Sequence, residues 1–166
     1  MDDLALVESQ LGREPRAFRR VAARCPYGSP AVTEQDPYDA DGDPFPTSYY
    51  LTCPHLVAAI SRLEAEGGVE RWGRRVQQDA SLAASLARAT REQQGLRREL
   101  ARDRVGKDGG SSLALGIAGA HDPENLKCLH AHAAFALARP GYELGEAILG
   151  EVDAPWPPER CCSDPS

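Results

Sequence analysis

The feature that most constrains the fold is a change of pattern at Cys53-Pro54. Before it, over residues 17–52, short runs are separated by Pro, Gly and Asp clusters, which is typical of short strands joined by tight turns. After it, apolar residues recur every three or four positions, the spacing of helices that bury one face. We therefore predict an α+β fold. It has a small N-terminal antiparallel sheet packed against about five helices that dominate the C-terminal two-thirds.

The bounds of the predicted elements follow from turn and capping residues. A short helix over 2–11 ends at Gly12, and the helix that begins at Pro54 ends at Gly67-Gly68. The Gly-rich connection 105–121 lacks the residue order of a phosphate-binding loop. The predicted strands are 17–24, 31–34 and 48–52, and the later helices begin near 69, 81, 122 and 144.

Length, composition and charge limit the possible classes of protein. With 166 residues, 42% of them hydrophobic and 27% charged, the chain has the size and composition of one globular domain. We predict that domain over residues 1–152, followed by an irregular tail over 153–166 that contains Pro and Cys. The net charge of −6 argues against nucleic-acid binding as a general function, since such proteins usually present a basic face.

The predicted helix over 81–104 carries the densest positive charge. Its side expected to be exposed holds Arg88, Arg91, Arg97, Arg98, Arg102 and Arg104, with Glu92, Glu99 and Asp103. A solvated face with pairs of opposite charge accounts for this pattern. The alternative is a surface that binds an acidic protein partner or RNA.

Neither a secretory signal nor a membrane span is expected. The first residues, MDDLALVESQ, lack a basic stretch followed by an apolar one. The longest runs without a charged residue, 109–121 and 128–138, are shorter than the roughly 18 apolar residues of a membrane span. We therefore expect a cytoplasmic protein with no membrane contact. In that reducing compartment, separated cysteines more often bind metal or react than form structural disulfides.

Two cysteines occupy positions that can present a thiol. Cys25 is followed by Pro26 and Gly28, which favour a sharp turn at the end of a strand. Cys53 precedes Pro54 and so falls on or beside the N-cap of the first long helix. The positive end of that helix is expected to lower the thiol pKa and favour the thiolate.

A third cysteine lies near two histidines in the helix predicted from residue 122 to 139. At 100° per residue, His132 lies on the same side of this helix as Cys128, whereas His130 points nearly opposite. Helix geometry thus favours His132 as the partner of Cys128. His130 requires a distorted helix or a site that wraps around it.

Together these residues predict a metal centre with three thiolates and one imidazole. Zinc and iron–sulfur clusters both prefer thiolate ligands and accept imidazole. The candidate ligands are Cys25, Cys53 and Cys128 with His130 or His132. A closed centre would be structural or redox-sensing, and an open position would allow Lewis-acid chemistry. Without any C-x-x-C pair, each ligand must come from a different element.

The other ligand-type residues have plainer interpretations. The connection 34–43 holds five acids, but its spacing matches no calcium loop and Pro37 interrupts it, so we expect a solvated loop. Cys161-Cys162 in the tail is either the source of a fourth thiolate or a mobile, incidentally reactive pair.

Two interpretations of the cysteines need no metal. A thiol enzyme would use Cys53 as nucleophile and His55, His130 or His132 as base. The simplest alternative is that the cysteines are buried as small hydrophobic residues.

Four motifs occur in order within residues 10–150 and carry a family resemblance. They are Arg24-Cys25-Pro26-Tyr27-Gly28-Ser29-Pro30, Gly42-Asp43-Pro44-Phe45-Pro46-Thr47, Tyr49-Tyr50-Leu51-Thr52-Cys53-Pro54 and Lys127-Cys128-Leu129-His130. In this combination the chain resembles an uncharacterised bacterial family, mainly actinobacterial, known as domain of unknown function 501. The resemblance implies no assigned activity, so whether the protein is an enzyme stays open.

The resemblance does imply a genomic setting and a set of positions. Genes of the family tend to lie beside those for enolase, a septum-formation-initiator-like protein and an exopolyphosphatase. That setting suggests cell division or polyphosphate physiology, and with it a metal-free interaction module as an alternative function. The family pattern also directs attention to Cys25, Cys128 and His130. Relatives with His at the position of Cys53 would fit a ligand role there.

Overall fold

The computed structural model describes residues 2–163. Its sheet has three antiparallel strands in the order β1-β2-β3, where β1 is Phe18–Arg24, β2 is Pro30–Gln35 and β3 is Tyr49–Leu51. The turn between β1 and β2 places Gly28 at a φ of 89°, a conformation that residues with a Cβ rarely adopt. All three strands lie where the sequence predicts them.

Helices make up most of the rest of residues 2–163. The six α-helices are α1 (Asp3–Leu11), α2 (Pro54–Ala65), α3 (Gly68–Gln78), α4 (Ala80–Ala101), α5 (His130–Ala138) and α6 (Glu143–Leu149). Two short 3₁₀ turns, Ser111–Ala114 and Ile117–Gly119, interrupt the Gly-rich connection. The fold is therefore α+β with a small N-terminal sheet, as predicted.

Helix α5 lies at the centre of the hydrophobic core. It is almost entirely buried, and its Phe135 ring makes edge-on contacts with Tyr49 of β3 at 5.3 Å and with Tyr142 at 5.2 Å between centroids. Helix α6 approaches α5 so closely that a Cβ on Gly145 would lie 2.4 Å from the His132 carbonyl oxygen. This contact needs glycine, because no real Cβ tolerates that distance from a backbone atom.

Two sequence predictions about the helices are wrong. The helix predicted from residue 122 begins only at His130, because the Asp122 side chain accepts the amide of Glu124 at 3.0 Å and forms a local turn. In α4, Arg97 is not on the exposed side but only 1% exposed, and its Nη1 donates to the Phe45 carbonyl at 2.8 Å. The Arg-rich surface is correspondingly smaller than predicted.

None of the helices within residues 2–163 is both long and apolar enough to span a bilayer.

Candidate metal centre

Cys25 and Cys53 lie at the same end of the sheet. Cys25 follows Arg24, which pairs with Pro30, and Cys53 follows the other edge strand, with its amide 3.3 Å from the Ala31 carbonyl oxygen. The two cysteines thus flank the start of the central strand β2. Both are buried, with 8% and 3% of their surface exposed.

The tail of the chain lies across this end of the sheet. The Tyr27 hydroxyl in the β1–β2 turn donates to the Pro157 carbonyl, and His55 near the start of α2 is 2.5 Å from the Ala154 carbonyl oxygen. Cys161 is only 4% exposed, while Cys162 is exposed. Residues 153–163 form no helix or strand, and Cys161 is packed against the protein and does not belong to a free, solvated pair.

Each tail cysteine faces one cysteine of the sheet end. The Sγ atoms of Cys25 and Cys161 are 3.9 Å apart, and those of Cys53 and Cys162 are 3.8 Å apart. All four are free thiols at these distances, since a disulfide bond is only about 2.05 Å long. Four sulfur atoms are thus grouped as two facing pairs, which we call the sulfur cluster.

Cys53 is the N-cap of α2, as predicted, but its thiol is not activated there. Burial raises its pKa to about 11, and the neighbouring Cys162 contributes in the same direction. The amides of Leu56 and His55 lower the pKa but do not compensate for the lost solvation. The prediction of a thiolate at the start of α2 is therefore wrong. Loss of solvation raises the pKa of Cys53 by more than the start of the helix lowers it.

Cys161 has the opposite balance. Burial acts to raise its pKa, but hydrogen bonds from the Ser29 hydroxyl, the Ser163 amide and the Cys25 thiol together lower it below the ordinary value. A hydrogen bond to a sulfur atom stabilises the thiolate because it replaces lost water. Cys161 thus carries negative charge more readily than Cys53.

The remaining predicted ligands lie beside α5. Cys128 precedes the helix, is partly buried, and has a pKa raised by burial and by the nearby Glu64 carboxylate. His130 is the first residue of α5, and its Nδ1 is 3.1 Å from Glu64 Oε1 while its Nε2 is 3.2 Å from Ser61 Oγ. Both nitrogens of His130 are therefore occupied by protein groups.

His132 is fully buried in the core between α5 and α6. Its Nδ1 is 2.7 Å from the Tyr142 hydroxyl, and burial lowers the imidazole pKa to about 4. Its Nε2 is buried and has no hydrogen-bond partner among the described residues. His132 is therefore neutral at physiological pH and serves as a core residue.

The distances between donor atoms show which of these side chains lie close enough together to share a metal ion. Within residues 2–163, the only three His, Cys, Asp or Glu side chains with donor atoms all within 4.8 Å of one another are Asp39, Asp41 and Asp43. Cys25, Cys53, Cys128, His130 and His132 thus supply no such group of three. The acids are exposed or partly so, and Arg16 and Lys107 form ion pairs with Asp39 and Asp43 at 2.8 and 3.0 Å. This fits the solvated loop expected from the sequence.

Sequence reasoning missed two features of the sites. It gave the tail cysteines little weight, although their adjacency was visible, because nothing in an irregular Pro-rich segment shows where it packs. It also overlooked Ser61 and Glu64, which lie three residues apart on one face of α2. A Ser-x-x-Glu spacing is too common on helices to stand out without the histidine that meets it.

Comparison with known proteins identifies the family. Residues 21–150, more than three-quarters of the chain, match the family described as a protein of unknown function, DUF501. The chain belongs to this family, which confirms the resemblance inferred from its motifs. No curated protein and no solved structure matches the chain. Cys25, Cys53 and Cys128 lie inside the matched segment, whereas Cys161 and Cys162 lie beyond it.

Proposed function

We propose that the sulfur cluster binds metal, and that its ligands are Cys25, Cys53, Cys161 and Cys162. The observation that carries this proposal is the pair of sulfur–sulfur distances, 3.9 and 3.8 Å. A tetrahedral metal with metal–sulfur bonds of about 2.3 Å separates its ligand sulfurs by about 3.8 Å. Each pair therefore has the spacing of two thiolates on one metal ion.

The grouping into pairs favours an iron–sulfur cluster over a single zinc ion. Zinc with four thiolates needs all four sulfurs within about 3.8 Å of each other, but no three of them lie within 4.8 Å of one another. A two-iron cluster with four cysteines assigns two thiolates to each iron, so the short spacing is needed within each pair and not among all four sulfurs. The four-cysteine set replaces the predicted one, in which Cys128 and a histidine completed the site.

The arrangement supports a structural and redox-sensing role. Two ligands belong to the sheet end and two to the tail, so a bound cluster would hold the tail against the sheet. Metal binding requires deprotonated sulfur, and the high pKa of Cys53 means that binding must release a proton there. Oxidative loss of the bound iron–sulfur cluster would release the tail from the sheet end. The conformation of the tail would then depend on the redox state.

The alternatives draw less support from the geometry. Cys53 as the nucleophile of a thiol enzyme is disfavoured by 3% exposure and a raised pKa. An interaction module, with or without a link to cell division, would have to use the exposed arginines of α4, such as Arg91 and Arg98, without the buried Arg97.

The test is metal analysis of the full-length protein purified without oxygen. We expect iron and acid-labile sulfide in equal amounts, with visible absorbance and a brown colour. Cys161→Ser combined with Cys162→Ser should remove the iron and the absorbance. Cys128→Ser is the matched control and should retain both, because Cys128 lies outside the sulfur cluster.

Three results would contradict this proposal. Colourless protein with one zinc per chain would replace the iron–sulfur assignment. Metal that survives the double substitution would overturn the ligand set. Metal-free protein that forms the Cys25–Cys161 and Cys53–Cys162 disulfides on oxidation, each releasing two electrons and two protons, would establish a thiol redox pair in place of a metal centre.

A further inference from the structure

Three side chains at the contact of α2 and α5 form a continuous hydrogen-bonded chain. Ser61 Oγ lies 3.2 Å from His130 Nε2, and His130 Nδ1 lies 3.1 Å from Glu64 Oε1. Ser61 and Glu64 are one turn apart on α2, so both face the histidine that begins α5. The serine is exposed, while His130 and Glu64 are partly buried.

The hydrogen bonds define where the protons lie. An ionised Glu64 can only accept, so His130 Nδ1 must carry the proton that it shares with this carboxylate. Glu64 is held in place because its other oxygen accepts the Leu129 amide at 2.6 Å. In the neutral imidazole, Nε2 is then unprotonated and can only accept, so Ser61 donates its hydroxyl proton to it. This is the proton arrangement that activates a serine nucleophile.

A cavity of about 300 Å³ opens beside His130, whose partners Ser61 and Glu64 lie outside its wall. Its wall includes His130, Cys128 and Ala131 from the start of α5, Tyr50 and Leu51 from β3, and Val57 from α2. Val57 precedes Ser61 by one helical turn and lies on the same face of α2. The wall is mainly apolar and carries no acidic or basic side chain except His130. An uncharged acyl group of modest size suits such a lining.

We propose that Ser61, His130 and Glu64 form a hydrolytic site for esters whose acyl group is small and uncharged. Ser61 Oγ would bond to the ester carbonyl carbon while its proton passes to His130 Nε2. The bond from carbon to the alcohol oxygen then breaks, and the alcohol leaves with that proton. Water next attacks the acyl-serine, giving one proton to His130 and its hydroxyl to the acyl group. The acid leaves, and the proton returns to Ser61.

Replacing Ser61 distinguishes a loss of catalysis from a loss of folding. Glu64 helps to hold the start of α5, so its loss affects both. Ser61 is exposed and its hydroxyl bonds only to His130 among the described residues, so replacing it should leave the denaturant midpoint of unfolding nearly unchanged. None of the three residues belongs to the sulfur cluster, so this site does not depend on the proposed metal.

The test is covalent labelling with a fluorophosphonate probe, followed by peptide mass spectrometry, and hydrolysis of p-nitrophenyl butyrate. We expect one label per chain, on Ser61, and ester hydrolysis that Ser61→Ala abolishes. His130→Gln should slow both reactions at least about 100-fold, the usual contribution of a general base. Ser81→Ala is the matched control. Ser81 is exposed like Ser61, but its hydroxyl bonds to the Glu143 carboxylate at 2.9 Å and not to a histidine.

Two outcomes would overturn the proposal. One is a folded wild-type protein that neither takes the label nor hydrolyses the ester. The other is labelling and hydrolysis that persist in Ser61→Ala at the rate of Ser81→Ala. Circular dichroism of each variant identifies any loss caused by unfolding. Should His130→Gln unfold, Ser61→Ala decides the question alone.

Discussion

The residues that the sequence assigned to one metal centre lie in two places, the sulfur cluster and the start of α5. The two places differ in which groups the candidate ligands already contact. In the sulfur cluster, Cys25 and Cys53 face other thiols at 3.9 and 3.8 Å. Beside α5, His130 already has a partner at each ring nitrogen, and His132 bonds to Tyr142. Residue type therefore does not identify a ligand. The groups that a side chain meets after folding decide whether it is available to a metal.

The largest effect that can test this contrast concerns His132. Its folded-state pKa of about 4 lies below the ordinary value of 6.5, so the unfolded chain binds the proton more tightly. The stability from keeping it neutral is complete above about pH 6.5 and is lost as the pH falls towards 4. The loss is about 3 kcal/mol, at roughly 1.4 kcal/mol per pH unit.

Denaturant unfolding at several pH values from 7.5 to 4.5 measures this loss. Tyr142→Phe should keep the pH slope, since burial alone causes the shift, whereas His132→Gln should flatten it. His121→Gln, at an exposed position, is the control. An unchanged slope in His132→Gln would show that His132 is accessible to protons in the folded state, and so able to act as a ligand.

The next effect compares thiols within the sulfur cluster. In reduced, metal-free protein, Cys53 should react with iodoacetamide about 100-fold more slowly than a thiol of pKa 9, because its pKa of about 11 leaves that much less thiolate. Exposed Cys162 should react first. Mass spectrometry over time gives both rates, and the same measurement in denaturant should make them equal. Equal rates for Cys53 and Cys162 in folded protein would support the prediction that Cys53 is a reactive thiol at the helix start.

The smallest effect concerns the junction of α2 with α5. Glu64→Gln removes a carboxylate that accepts the Leu129 amide and pairs with His130. We expect a loss of about 1 kcal/mol in the free energy of unfolding, the usual value of a helix-capping contact. Glu99→Gln, at an exposed position of α4, should change it by less than about 0.5 kcal/mol. Equal values for the two variants would show that Glu64 does not anchor the start of α5.

The local pattern of the sequence was sufficient for much of the fold. Short runs bounded by Pro, Gly and Asp predicted the sheet, and Pro54 at a helix start predicted α2 and the placement of Cys53 at an N-cap. The same local rules failed for Arg97, which an apolar-stripe argument assigns to the solvent. They also failed for residues 122–129, where a cap and a proline did not start a helix. For Arg97 a contact with a distant segment, the Phe45 carbonyl, decided the outcome, whereas at residue 122 the Asp122 side chain closed a local turn and the helix began only at His130.

The sequence by itself determined the family, the α+β class and the two cysteines at the ends of strands. Only the tertiary structure decided that their partners are Cys161 and Cys162, 136 and 109 residues away, and that Ser61 and His130 meet across two helices. The physical reason is that periodicity and capping act over a few residues. Contacts between distant segments depend on how the sheet, the helices and an irregular tail pack around one core.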